Sequence, residues 1–226
     1  MLRLLLLIVA FLAPLRAATI VCLGDSLTAG RGLDEADAYP ALVQELAHAD
    51  GLTWTVVNAG VSGDTSAGGL RRLGWTLKAK PTWLFVALGA NDGLRGQPPE
   101  ETRRNLHAIC EQATAAGTRV ALAGMILPTN YGDEHREAFA KLFPAIAAER
   151  MLPLLPFLLE GVGGKAALNQ ADGIHPTAEG QRIIARRVYA FFKPLVEDKA
   201  VEGKPVEGKP APGAVHGVDG KKEETK

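Results

Sequence analysis

The chain has 226 residues, 47% of them hydrophobic and 22% charged, and a formal net charge of zero. That length suits one domain with a sizeable core. The balanced charge leaves no basic surplus for electrostatic capture of DNA or RNA, so no nucleic-acid partner is expected.

The N-terminus reads as an export signal. Arg3 precedes an apolar run at 4–13, followed by Pro14 and the small pair Ala17-Ala18. One positive charge, a short apolar stretch and small residues make a secretory signal over 1–17, implying a periplasmic or secreted protein. The run is too short to cross a hydrocarbon core of about 30 Å, so no stable membrane span is expected. An uncleaved anchor is the alternative. Export would permit a disulfide between Cys22 and Cys110. Their places in an apolar strand and on an apolar helix stripe suit two buried, unpaired thiols better.

From residue 18 the chain alternates two periodicities. Apolar runs rich in β-branched residues fall at 19–23, 53–57, 83–88 and 119–123. They barely alternate, as strands covered on both faces should not. Helical spacing of i, i+3, i+4, i+7 appears in Tyr39, Leu42, Val43 and Leu46. It recurs in Leu106, Ile109, Cys110 and Ala113, and in Phe139, Leu142, Phe143 and Ile146. Pro98-Pro99-Glu100 opens the helix that carries Leu106, and Gly117 stops it. A last helix at 177–192 should turn Ile184, Val188 and Phe191 inward. Strands alternating with helices predict βαβ units, hence an α/β domain with a parallel sheet, over 18–196. Beyond it, Val201-Glu202-Gly203-Lys204-Pro205 is repeated as Val206-Glu207-Gly208-Lys209-Pro210. A tail at 197–226 rich in Gly, Pro, Lys and Glu has too little apolar surface to offset its ordering entropy and is expected to be disordered.

Three post-strand segments and one late loop carry candidate chemistry. Loops that follow parallel strands gather at the carboxyl edge of the sheet. The first three are Gly24-Asp25-Ser26-Leu27, Asn58-Ala59-Gly60-Val61-Ser62-Gly63-Asp64 and Gly89-Ala90-Asn91-Asp92. The fourth, Asp172-Gly173-Ile174-His175, precedes the last helix. Together they bring a serine, a glycine amide, an asparagine amide and an Asp/His pair to one edge. These are the parts of a serine hydrolase: nucleophile, oxyanion donors, orienter and base. Each also has a plain structural reading. Ser26 suits a turn or helix cap, Asn91 a turn, Gly63 a positive φ, and Asp172 a cap beside an exposed His175. The segment around Ser26 matches neither phosphate-binding glycine pattern. It also lacks the G-x-S-x-G elbow. His48, His107, His135 and His216 show no metal-ligand spacing, so no metal and no cofactor are expected.

In order and spacing the four segments resemble the GDSL, or SGNH, hydrolase family. The resemblance runs from about Thr19 to Leu195. It is strongest toward the exported bacterial branch of acyl-CoA thioesterase I, lysophospholipase L1 and arylesterase, which Asn91-Asp92-Gly93-Leu94-Arg95-Gly96 and Leu127-Pro128-Thr129-Asn130-Tyr131-Gly132 both resemble; the tail departs from it. The resemblance implies a three-layer α/β/α sandwich with a flavodoxin-like sheet, the SGNH hydrolase fold. It implies Ser26 as nucleophile, His175 as base and Asp172 as its orienter. The amides of Ser26, Gly63 and Asn91 would receive the oxyanion. The expected reaction is two-step hydrolysis of a small acyl ester or thioester, lysophospholipids included, by a monomer. Leu94 and Leu127, in loops, should line an apolar acyl groove. The alternatives are a carbohydrate O-acetylesterase of the same family, a non-catalytic exported binding module, and a metallophosphoesterase.

Overall fold

The computed structural model describes residues 17–197. The export signal expected at 1–17 and the tail expected at 197–226 lie outside the described residues, apart from Ala17 and Glu197.

Strands β1 (Ala18–Gly24), β2 (Trp54–Gly60), β3 (Trp83–Ala87), β4 (Arg119–Ala123) and β5 (Leu154–Leu155) form one sheet in the order β2-β1-β3-β4-β5. Every pairing is parallel. This is the flavodoxin-like order. All five residues of β3 are buried, as are all but one of β1, which accounts for the near absence of alternation. β2 runs three residues past the expected end at 57. Asn58, Ala59 and Gly60 continue the ladder against Cys22, Leu23 and Gly24. β5 had no expectation attached: two residues paired with Leu122 and Ala123 are too short to leave a periodic signal.

The helices are α1 (Ser26–Ala29), α2 (Tyr39–Ala49), α3 (Ser66–Thr76), α4 (Ala90–Leu94), α5 (Pro99–Ala115), α6 (Asp133–Arg150) and α7 (Ala178–Glu197). α2 packs with α7, and α5 packs with both α3 and α6. Helices therefore flank the sheet in three layers. The expected stripes on α5 and α6 are buried. On α2, Tyr39 and Val43 are buried, while Leu42 and Leu46 are half-buried against the core. α7 requires a correction: Phe192 is fully buried and Phe191 half-buried. Ile184, Val188 and Phe192 continue one stripe at steps of four, and Phe191 lies one position round it. Phe192 meets Phe85 and Trp83 edge-on at 5.3 and 5.8 Å between ring centres. Truncating such a buried ring to alanine costs about 3–5 kcal/mol. Cys22 and Cys110 are buried and unpaired, and burial pushes each thiol up to about 12. Among the described residues no helix is long and apolar enough to cross a membrane.

The chain leaves β1 toward β2 and leaves β3 toward β4, so the strand order reverses between β1 and β3. Crevices in such sheets open at the carboxyl ends of those strands. Ser26 follows β1 and Asn91 follows β3.

Candidate active site

Ser26 is the first residue of α1, a single turn. Its predecessor Asp25 caps that turn, accepting the Leu27 N–H through Oδ1 at 2.9 Å. Gly24 makes the tight turn possible: a Cβ there would lie 1.9 Å from the Thr28 Oγ1. Ser26 is 7% exposed, and its hydroxyl lies 2.8 Å from the His175 Nε2.

His175 sits in the loop before α7, with Asp172 beside it. Its Nδ1 lies 2.7 Å from the Asp172 Oδ2. The other oxygen, Oδ1, accepts the backbone N–H groups of Ile174 and His175 at 3.1 and 3.0 Å. The ring contact first, then the two N–H groups, hold the Asp172 carboxyl down to about 2. An ionised Asp172 can only accept, so Nδ1 carries the ring proton and Nε2 faces the serine as an acceptor.

Two glutamines that the sequence reading passed over fasten this loop to the serine segment. The Gln170 Nε2 donates to the carbonyls of Arg31 and Pro176 at 2.7 and 2.9 Å. The buried Gln181 on α7 accepts the Tyr39 N–H at 3.0 Å and donates to the Leu27 carbonyl at 3.0 Å. Neither residue belongs to an apolar period or a motif, so no sequence signal marked them.

Gly63 lies in an exposed loop after β2, at φ +83°. Its carbonyl accepts the Arg95 guanidinium at 2.9 Å. Arg95 follows α4, the helix that carries Asn91. The Asn91 Nδ2 donates to the Asp64 carbonyl at 2.9 Å and lies 3.4 Å from the Asp25 Oδ2. One amide hydrogen is therefore firmly held and the other only weakly engaged.

Three more groups brace these loops: Asp92 and Asp25, which the sequence reading placed in its motifs without a role of their own, and Arg72, which it did not mark. Asp92, fully buried, accepts from the Ser66 N–H at 2.8 Å, from the Ser66 hydroxyl and from Thr102. It thereby ties α4 to the start of α3. Arg72 pairs with Asp64 at 2.7 Å and donates to the carbonyls of Gly24 and Ala59 at 2.8 and 2.7 Å. Asp25 is 1% exposed, and burial pushes its carboxyl up to about 6, with the charges of Asp64 and Asp92 adding to the rise.

These elements surround one cleft of about 820 Å³. Ser26, Gly63, Asn91, Asp172 and His175 all line it, as do Leu94 and Leu127. Leu127 is buried beneath the cleft wall, against Gly93, and Leu94 is half-buried. The sequence reading did not single out Met125, Ile126, Phe157 and Leu159, which extend the apolar wall. Ile126 is 49% exposed, an apolar side chain held in solvent at the cleft. Among the described residues, no three His, Cys, Asp or Glu side chains are grouped to hold a metal ion.

The model of the GDSL-like lipase/acylhydrolase family matches residues 22–183. Esterase TesA of Pseudomonas aeruginosa is 44% identical over 181 residues, covering 80% of this chain and 90% of that protein. Thioesterase 1/protease 1/lysophospholipase L1 of Escherichia coli is 42% identical over 185 residues, covering 80% of this chain and 86% of that protein. The crystal structure of the psychrotrophic esterase EstA from Pseudoalteromonas sp., inhibited by monoethylphosphonate, superimposes with a TM-score of 0.77. It is 35% identical and covers 80% of this chain and all of that one.

Proposed function

We propose that this chain, which belongs to the GDSL-like lipase/acylhydrolase family, is a serine hydrolase that cleaves acyl esters and thioesters through an acyl-enzyme on Ser26. The observation that carries the reading is the unbroken relay from the Ser26 hydroxyl through His175 to Asp172, at 2.8 and 2.7 Å.

The reaction follows from that relay. The Ser26 Oγ attacks the substrate carbonyl carbon as its proton passes to the His175 Nε2. Asp172, anionic far below neutral pH, stabilises the imidazolium and keeps the ring oriented. The carbonyl oxygen gains negative charge and is received by the N–H groups of Ser26 and Gly63 and by the Asn91 amide. The tetrahedral centre then collapses, and the leaving alcohol or thiol departs with the proton that His175 holds. Water enters, gives a proton to His175 and attacks the acyl carbon. The acid leaves, and the proton returns to Ser26.

The relatives named esterase and thioesterase/lysophospholipase support an acyl ester or thioester as substrate. The apolar wall of Leu94, Ile126, Leu127 and Phe157 supports an acyl chain longer than acetate over a carbohydrate acetyl group. The apolar run after Arg3 supports export to the periplasm or beyond. The test is a series of acyl esters and matching thioesters from acetyl to palmitoyl on purified protein. Optimal turnover at medium chain length, lost in Ser26→Ala, is expected. A preference for acetyl esters would favour the O-acetylesterase reading.

A further inference from the structure

We infer that Arg31 forms an anion subsite on the leaving-group side of the cleft, selecting substrates whose alcohol or thiol carries a phosphate. The inference rests on the hydrolase reading above and extends it to the half of the substrate that departs.

Arg31 is the one arginine or lysine among the residues that line the cleft. Its side chain is exposed, and it makes no ion pair or hydrogen bond among the described residues. Its backbone, in contrast, is fastened at both ends. The Arg31 N–H donates to the Ser26 carbonyl at 3.1 Å, and its own carbonyl accepts the Gln170 amide at 2.7 Å. The same Gln170 amide reaches the Pro176 carbonyl at 2.9 Å, the residue after His175. The guanidinium is thus rooted between the nucleophile's segment and the histidine's segment, and its charge is not spent among the described residues.

The placement decides which part of a substrate it meets. The apolar wall comes from the loops after β4 and β5, where Met125, Ile126, Leu127, Phe157 and Leu159 stand. An acyl chain belongs there. The leaving oxygen or sulfur must face His175, because that ring returns the proton to it. A group carried on the departing alcohol or thiol therefore extends over the histidine side, where Arg31 is rooted. A guanidinium offers a planar fork of donors that matches phosphate oxygens. Phosphate on a thiol, as in phosphopantetheine, and phosphate on a glycerol both present that chemistry.

The test uses two matched pairs with the same decanoyl chain. One pair is the thioester of phosphopantetheine against that of N-acetylcysteamine. The other is 1-decanoylglycerol 3-phosphate against 1-decanoylglycerol. The readout is the ratio of kcat/KM, charged over neutral, so that any general loss of activity cancels. The ratio should fall about fivefold in Arg31→Gln, the size expected of one exposed charge pair, and further in Arg31→Glu. Arg31→Lys should retain most of it, and added salt should erode it in the parent protein. A fall confined to one pair identifies whether thiol-borne or glycerol-borne phosphate is the source. A ratio unchanged across parent, Gln and Glu proteins that still cleave the neutral substrates overturns the subsite and leaves the hydrolase reading standing. No turnover of either member, with no labelling of Ser26 by a fluorophosphonate, overturns both.

Discussion

The Ser26 hydroxyl and the His175 Nε2 stand 2.8 Å apart, although 149 positions separate the two residues in the chain. Packing alone brings them together. Ser26 opens α1 just past the carboxyl end of β1, an inner strand of the sheet, and His175 is delivered by the loop before α7. Gln170 and Gln181 pin that loop and helix to the serine segment. This relationship is what lets a one-turn helix present the proposed nucleophile.

If Asn91 receives the oxyanion as proposed, removing its amide should slow chemistry without weakening binding. Asn91→Ala is expected to lower kcat by about 10²- to 10³-fold, the usual loss for one such donor. KM should change little, because a neutral carbonyl gains less from the amide than a developing oxyanion does. Steady-state kinetics and the melting temperature on the same variant decide the matter. Near-normal kcat with a lowered Tm would make Asn91 a turn former only.

Asp172→Asn should preserve the loop and spoil the proton traffic. The asparagine oxygen can still accept the N–H groups of Ile174 and His175. Its NH₂ group, however, would meet the ring Nδ1 and favour the tautomer with hydrogen on Nε2, the nitrogen that must accept from Ser26. A loss of about 10⁴-fold in kcat is expected from the same change in other Ser-His-Asp enzymes. An unchanged Tm with that loss supports the orienting role, and kcat within tenfold of the parent would contradict it.

Asp25 should make the fold less stable as pH rises. Its carboxyl is raised to about 6 from an ordinary 3.8, so the folded protein holds a proton that the unfolded chain gives up first. The contribution is fully present below pH 3.8 and is lost as pH climbs through about 6. A shift of that size corresponds to roughly 3 kcal/mol between the two limits. Asp25→Asn keeps an oxygen for the Leu27 N–H and removes the buried charge. Its Tm should exceed that of the parent at pH 8 and approach it at pH 4. Equal differences at both pH values would mean that the carboxyl does not titrate in the folded protein.

The sheet was legible because β1 and β3 are apolar almost throughout, and burial on both faces leaves that mark. α5 and α6 were legible from stripes that the fold does bury. α3 was not, because three glycines in Ser66–Thr76 interrupt any apolar period; its start is set by the Thr65 cap and by Asp92, a contact across 26 residues. That Ser26, Gly63 and Asn91 would gather at one edge was legible because each comes soon after a strand, whereas Asp172 and His175 were marked as a pair in the loop before the last helix. The braces were not. Gln170 and Arg72 act through carbonyls of other segments, and nothing local distinguishes them from ordinary polar residues; Asp92 stood in a motif, but its contacts with Ser66 and Thr102 left no mark there.

The most direct test of the account is where a covalent inhibitor lands. The purified protein would be treated with a fluorophosphonate, digested, and mapped by mass spectrometry. A single adduct on Ser26, absent in Ser26→Ala and formed far more slowly in His175→Ala, is the predicted result. An adduct on another serine, such as Ser62, or a folded and active protein that takes no adduct at Ser26, would contradict it.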